Sequence, residues 1–359
     1  MPPLREIFPG IPLVESPLFP SMVDELGLTG AERRIAMDLH QRGYAVLDFP
    51  DEQLGARIDR IKSSLADRFA GQSNDAEPSA EHSVGRAQDA WTFDPDVRAI
   101  ACNRQILVLL AKLYGRSPFP FQTLNFPIGT EQHLHSDSIH FSSIPERFMC
   151  GVWLAFEDVH AGAGPLTYVP GSHKWPILSN TMIGRRGFGA ERDLAQSPFE
   201  TAWEALTQVC GQQQETFLAR KGQALIWAAN LLHGGNARNN PERTRWSQVT
   251  HYYFDDCIYY TPAYSDEPLG RLDLRAIVDI ETDELKPNVY LGEEVGQKPQ
   301  PPSLLTRLKD WIKLGSDLPA DFSAEGYYRL NPDVAATGVD PAAHYRSHGR
   351  SEGRRYKYR

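Results

Sequence analysis

The spacing of apolar residues changes character twice along the 359-residue chain. In the N-terminal part it is helical. Thr29-Gly30-Ala31-Glu32 is a capping box, in which the Thr hydroxyl and the Glu carboxylate each satisfy an orphan backbone donor; it opens a helix carrying Ile35, Met37 and Leu39 that stops at Gly43. Residues 44–49 (YAVLDF) read as a strand, and Leu54, Ile58, Ile61, Leu65 and Phe69 then recur at three- and four-residue intervals, predicting a second amphipathic helix. Residues 71–88 are small and polar, a surface loop, and 97–114 reads as a single buried helix ended by Gly115.

From about 118 to 260 the apolar runs shorten and are punctuated by Gly, Pro and Asn: 119–126, 148–156, 166–169, 224–227 and 247–254. Short strands with frequent turn signals predict a β-sandwich or barrel rather than βαβ units. A polar, partly helical insertion at 175–216 is placed to form a lid or wall over one mouth of that barrel. The second change comes at 295–303 (VGQKPQPPS), a proline-rich stretch expected to be stiff and extended, followed by a short amphipathic helix carrying Leu304, Leu305, Leu308, Trp311 and Ile312. The expected organisation is a main domain over 1–294, a linker and helix over 295–317, and a small tail module over 318–359.

Composition narrows the class. Hydrophobic residues make up 41% and charged residues 23%, ordinary for a globular protein. Acidic residues outnumber basic ones by 46 to 37, giving a net charge of −9, which argues against a general binder of nucleic acid or anionic membrane. No stretch approaches the roughly 20 apolar residues of a membrane span, and the proline-broken start has no signal-peptide pattern. Cys102, Cys150, Cys210 and Cys257 are scattered without a CxxC pair, so the expectation is reduced thiols in a cytoplasmic protein.

Chemistry concentrates at 130–137 (TEQHLHSD). Residues two apart on an extended backbone share a face, so His135 and Asp137 can meet one metal ion. His133 alternates onto the same side and is the competing ligand. A third ligand is available at His233, in Leu231-Leu232-His233-Gly234-Gly235. Two imidazoles and one carboxylate on one octahedral face are the facial triad of non-haem Fe(II) oxygenases, which leaves coordination positions open. Downstream, Arg245 and Ser247 share a strand face, and a guanidinium fork with a nearby hydroxyl suits a carboxylate. Arg243 is the alternative. His140, His160, His173 and His251 read as structural or pocket residues, Trp153 and Trp227 as core, and Arg185-Arg186 as a solvated loop.

These residues, with Gly164-Pro165-Leu166 and the 169–174 segment VPGSHK, resemble the phytanoyl-CoA dioxygenase family over residues 40–260. The resemblance implies a mainly β fold with flanking helices (α+β): a double-stranded β-helix, the cupin-like jelly roll, here with a small C-terminal helical appendage. It implies Fe(II) held by His135, Asp137 and His233, with 2-oxoglutarate and O2 as co-substrates. Arg245 and Ser247 would bind 2-oxoglutarate, with Gln122 and Thr123 as further contacts. Because the carboxylate at 137 is retained, hydroxylation or a related oxidation is implied over halogenation.

The tail resembles a repeat associated with bacterial surface-polysaccharide proteins, carried by Tyr327, Tyr328, Asn331-Pro332-Asp333-Val334, Asp340-Pro341, His344-Tyr345, Gly349 and Glu352-Gly353-Arg354. It implies an interaction module for a protein partner and leans the substrate toward a glycan or glycan precursor, with a small metabolite or lipid open. Two other functions compete: a jelly-roll scaffold without catalysis, and a metal-dependent cupin isomerase or hydrolase that makes no use of 2-oxoglutarate. The complete triad argues against the first. In the second, Arg245 would have no purpose.

Overall fold

Period-two alternation explains how the central strands sit between two different cores. The structure, a computed structural model, describes residues 2–70, 85–190, 195–295, 318–319, 321–337, 339–350, 352 and 354–356. In chain order the strands up to residue 260 are β1 (Tyr44–Asp48), β2 (Ala87–Gln88), β3 (Pro118–Phe126), β4 (Ser142–Ile144), β5 (Met149–Ala155), β6 (Leu166–Tyr168), β7 (Glu215–Phe217), β8 (Gln223–Ala228), β9 (His233–Gly235), β10 (Ser247–Phe254) and β11 (Ile258–Tyr260), followed by two short hairpins. A six-stranded antiparallel sheet runs β1-β8-β5-β10-β3-β2, faced by a three-stranded sheet β7-β6-β9, with β4 and β11 forming a small pair. This is the jelly-roll architecture, with helices on one side.

Val152, Leu154, Ala224, Ile226 and Tyr252 point from the large sheet into one core shared with the N-terminal helices, while Trp153, Leu225, Trp227 and Val249 point the other way, into a second core with Tyr168 and Phe217 of the small sheet. All eight residues of β10 are buried, as a strand covered on both faces must be. The outer layer consists of helices Gly30–Arg42, Leu54–Ala70, Pro95–Ala101 and Arg104–Tyr114. Both halves of the Thr29–Glu32 capping box are formed.

The single helix expected over 97–114 is two. Asn103 accepts hydrogen bonds from the backbone N–H groups of Gln105 and Ile106, so it caps a new helix rather than continuing the old one. In the 175–216 insertion, the helix Ser197–Cys210 buries Phe199 and Trp203 against Ile139, Val169 and Leu232, beside the loops that carry the candidate ligands. The loop expected over 71–88 falls mostly at 71–84, and the linker and helix expected over 295–317 fall at 296–317; both stretches lie outside the described residues.

The chain separates into two compact units, Met1–Val295 and Gly296–Arg359. The second has its own core of Tyr327, Val334 and Tyr345, with Phe322, Tyr328 and Tyr356 packed around it. Its helices are Ala324–Leu330, Pro332–Thr337 and Pro341–His344. Among the described residues, no helix is long and apolar enough to cross a membrane.

Candidate active site

Backbone pairing brings the two halves of the triad together. His135 and His233 form an antiparallel bridge, with N···O distances of 2.9 and 3.0 Å. A side chain at residue 234 would meet the Gln132 carbonyl at 2.6 Å, so Gly234 permits this close approach. Ser136 is extended and Asp137 begins a 3-10 turn, so His135 and Asp137 still share a side although the segment is not a continuous strand. The turn is pinned by Ser136, whose hydroxyl donates to the Ala229 carbonyl and to Asn230 Oδ1. The PGSHK segment holds the other approach: Ser172 Oγ accepts from Leu232 N at 2.8 Å, and the carbonyls of His173 and Trp175 accept from Asn230 Nδ2. His173 is therefore a scaffold residue, its Nε2 3.1 Å from the His40 carbonyl.

One donor atom from each of His135, Asp137 and His233 lies within 4.8 Å of the others. The donor set fits a divalent metal in its protonation state as well as its geometry. His135 Nδ1 lies 2.9 Å from the His133 carbonyl and His233 Nδ1 lies 3.0 Å from the Leu231 carbonyl, so each Nδ1 carries the proton and each Nε2 presents a lone pair. Those Nε2 atoms stand 4.0 and 3.7 Å from the Asp137 carboxylate, too far for hydrogen bonds and right for a shared ion. Burial and the neighbouring His233 pull the His135 pKa down to about 3, so it stays a neutral ligand. Burial alone would raise the Asp137 carboxyl; the imidazoles of His233, His251 and His135 and the Trp227 hydrogen bond outweigh it and hold its pKa below the usual carboxylate value. His133 is exposed and contributes its carbonyl, not its ring.

The triad lines a cavity of about 290 Å³ that also takes in Arg245, Gln122, Trp153, Trp227 and His251. Arg245 is 1% exposed. Its Nη1 donates to the Gly164 carbonyl at 2.8 Å, which gives the Gly-Pro-Leu segment its role, while Nε has no partner and no carboxylate among the described residues pairs with the guanidinium. Burial lowers its pKa to about 10, so it remains charged at neutral pH. An unpaired buried ion costs several kcal/mol, a cost that a bound carboxylate would offset. Arg243 is exposed and outside the cavity lining.

The other expected contacts divide. Gln122 lines the cavity, with Oε1 2.9 Å from His251 Nδ1. Thr123, its neighbour on β3, points the other way; it is buried on the opposite face, outside the lining. Ser247 is buried with an unpartnered hydroxyl but also lies outside the lining.

Two residues gain a role that the sequence did not suggest. Trp227 Nε1 donates to Asp137 Oδ2 at 2.8 Å, orienting the carboxylate. Gly151, paired with Trp227 across β5 and β8, makes room for that indole, since a Cβ there would collide with it. His251 Nε2 stands 3.7 Å from the same Asp137 oxygen, and burial lowers its pKa to about 4. Arg186, expected in a solvated loop, pairs with Asp266 at 2.8 Å.

A jelly roll with a buried His-Asp-His cluster at its open cavity defines the class as non-haem iron, 2-oxoglutarate-dependent oxygenases. The family described as phytanoyl-CoA dioxygenase (PhyH) matches residues 39–245, more than half of the chain, and the chain belongs to it. The family uses Fe(II), 2-oxoglutarate and O2. Among solved structures the chain is similar to the non-haem α-ketoglutarate-dependent carbocyclase SnoK from nogalamycin biosynthesis, at 16% identity over 70% of this chain and 94% of that chain, with a TM-score of 0.52. This likeness shows a shared fold. Two further similarities are the epimerase SnoN in complex with Fe3+, α-ketoglutarate and nogalamycin RO (20% identity, 71% and 98% coverage, TM-score 0.49) and EctD from S. alaskensis with 2-oxoglutarate and 5-hydroxyectoine (16%, 66% and 79%, 0.48). Comparison with curated protein sequences returned no match.

Proposed function

We propose that the chain hydroxylates an unactivated C–H bond of a small organic substrate, with His135, Asp137 and His233 as iron ligands and Arg245 as the anchor for the far carboxylate of 2-oxoglutarate. The observation that carries this reading is the buried Arg245 guanidinium, which shares a cavity with the triad and has no acidic partner among the described residues. Bound iron supplies O2 activation coupled to decarboxylation of 2-oxoglutarate. The chain's own residues do the positioning. Trp227 and the backbone carbonyls of His133 and Leu231 fix the three donors, the Gly164 carbonyl aims Arg245, and the Phe199–Trp203 face of the insertion helix walls the ligand-bearing loops from water.

A cupin isomerase or hydrolase without 2-oxoglutarate leaves Arg245 with nothing to bind, which disfavours it. Hydroxylation predicts that turnover under 18O2 places one labelled oxygen in succinate and the other in the product. Labelled succinate with an unlabelled, rearranged or epimerised product would retain the oxygenase and reject the hydroxylase.

We assign residues 1–294 to this catalytic domain, 295–317 to a linker and 318–359 to a module that tethers the enzyme to a protein partner of glycan assembly, and on that basis we favour a glycan precursor as substrate. The support is the repeat-like sequence and the self-contained core around Tyr327, Val334 and Tyr345. Removing 318–359 should abolish co-purification with such a partner and leave 2-oxoglutarate turnover intact. Unchanged partners and localisation would reject the tether.

A further inference from the structure

A second cation faces the same cavity. Arg86 is half-buried and lines it, yet among the described residues its guanidinium makes no hydrogen bond or ion pair, and burial is the sole influence on its pKa, lowering it. Arg86 stands near enough to His140 for its charge to lower that imidazole's pKa; His140 and Gln196 line the same cavity, and the His140 ring lies 6.5 Å from that of His135. Arg86, Gln196 and His140 therefore sit together on one side of the candidate metal centre. They are well apart in sequence from Arg245, which is held by the Gly164 carbonyl.

Charge balance gives Arg86 its meaning. Asp137 is the one carboxylate among the described residues of the lining. If iron and 2-oxoglutarate bind as proposed above, the metal dication and the Arg245 cation are matched by Asp137 and the co-substrate's two carboxylates, and the histidine ligands are neutral. Among the described residues of the lining, the Arg86 charge is left over. In a chain of net charge −9, a cation that faces a cavity without a counter-ion among the described residues is a built recognition element rather than a reflection of composition. A guanidinium fork recognises carboxylate and phosphate oxygens through paired N–H donors.

We infer that Arg86 recognises an anionic group on the substrate, a carboxylate or a phosphate, and so selects acidic substrates. This inference rests on the assignment of 2-oxoglutarate to Arg245, and the experiment separates the two.

The full-length protein, loaded anaerobically with Fe(II) and 2-oxoglutarate, is titrated with inorganic phosphate and with benzoate by calorimetry, in wild type, Arg86→Gln and the exposed-arginine control Arg243→Gln. The visible band of the iron–2-oxoglutarate chelate is recorded in each sample. Expected is 1:1 binding of at least one probe, weakened about tenfold or more in Arg86→Gln, as loss of one partner of a buried charge pair does, and unchanged in Arg243→Gln. Phosphate binding alone indicates a phosphorylated substrate, benzoate binding alone a carboxylic acid. Absence of binding by both probes at millimolar concentration, or equal binding in Arg86→Gln, overturns the inference while an intact band preserves the 2-oxoglutarate assignment. Loss of the band in Arg86→Gln overturns both, because Arg86 would then be the co-substrate's anchor.

Discussion

In the jelly-roll cavity, Arg245 holds a guanidinium nitrogen buried without a partner, and the Nε2 atoms of His135 and His233 face Asp137 across 4.0 and 3.7 Å. In the C-terminal unit, by contrast, the motif residues act on the unit itself. Asn331 Nδ2 donates to the carbonyls of Tyr327 and Arg355, Asp340 caps Ala343, and Arg354 bridges Asp333 and Glu352. Gly349 lies against Tyr327 Oη so closely that a Cβ would collide with it. The two regions record different constraints. The tail's Asn-Pro-Asp-Val and later Gly are explained by closing a very small core around Tyr327, Val334 and Tyr345. The cavity's residues are not explained by folding: leaving charged and polar atoms buried and unpaired destabilises the fold, and a ligand gives them a purpose.

That contrast can be tested from either end. The largest effect is expected for Asp137→Ala, which removes the carboxylate that faces His135 and His233. Iron retained after gel filtration should fall to background, as measured by metal analysis, while the fold measured by circular dichroism persists. Next comes Trp227→Phe, which keeps the ring and deletes the 2.8 Å hydrogen bond to Asp137 Oδ2. Loss of such an orienting partner costs roughly 10–100-fold in metal affinity, to be read from the Fe(II) dependence of 2-oxoglutarate consumption. Equal affinity in the variant would mean that the indole only fills space. Smallest for catalysis is Gly349→Ala. Overpacking should destabilise the C-terminal unit by about 1–3 kcal/mol, so that limited proteolysis trims the tail faster while 2-oxoglutarate turnover stays at the wild-type rate.

Local geometry made the centre of the site legible in the sequence. His135 and Asp137 are two residues apart, a relation that survives the change from strand to 3-10 turn because Ser136 stays extended. Arg245 is preferred over Arg243 through the family resemblance, since the segment that follows it, now the buried strand Ser247–Phe254, matches the family in register. What escaped depends on contacts across strands. Trp227 on β8 and His251 on β10 reach Asp137 through pairing that no local pattern encodes. Parity along β3 was the issue at Thr123: a residue and its neighbour in a strand face opposite sides, and only the register to β10 says that Gln122 is the inward one. The helix break at Asn103 was hidden because apolar residues continue in helical rhythm on both sides of it, and the capping side chain alone marks the interruption.

The central claim is that one buried arginine and one metal triad together form a 2-oxoglutarate site. The most direct measurement is anaerobic titration of the Fe(II)-loaded protein with 2-oxoglutarate, following the weak visible charge-transfer band in wild type and in Arg245→Ala. The account predicts a saturable band in wild type. In the variant, losing one side of a buried charge pair worth about 2–5 kcal/mol should shift the midpoint to at least roughly 30-fold more co-substrate. Absence of a band in wild type with iron bound, or the same midpoint in both proteins, would contradict it.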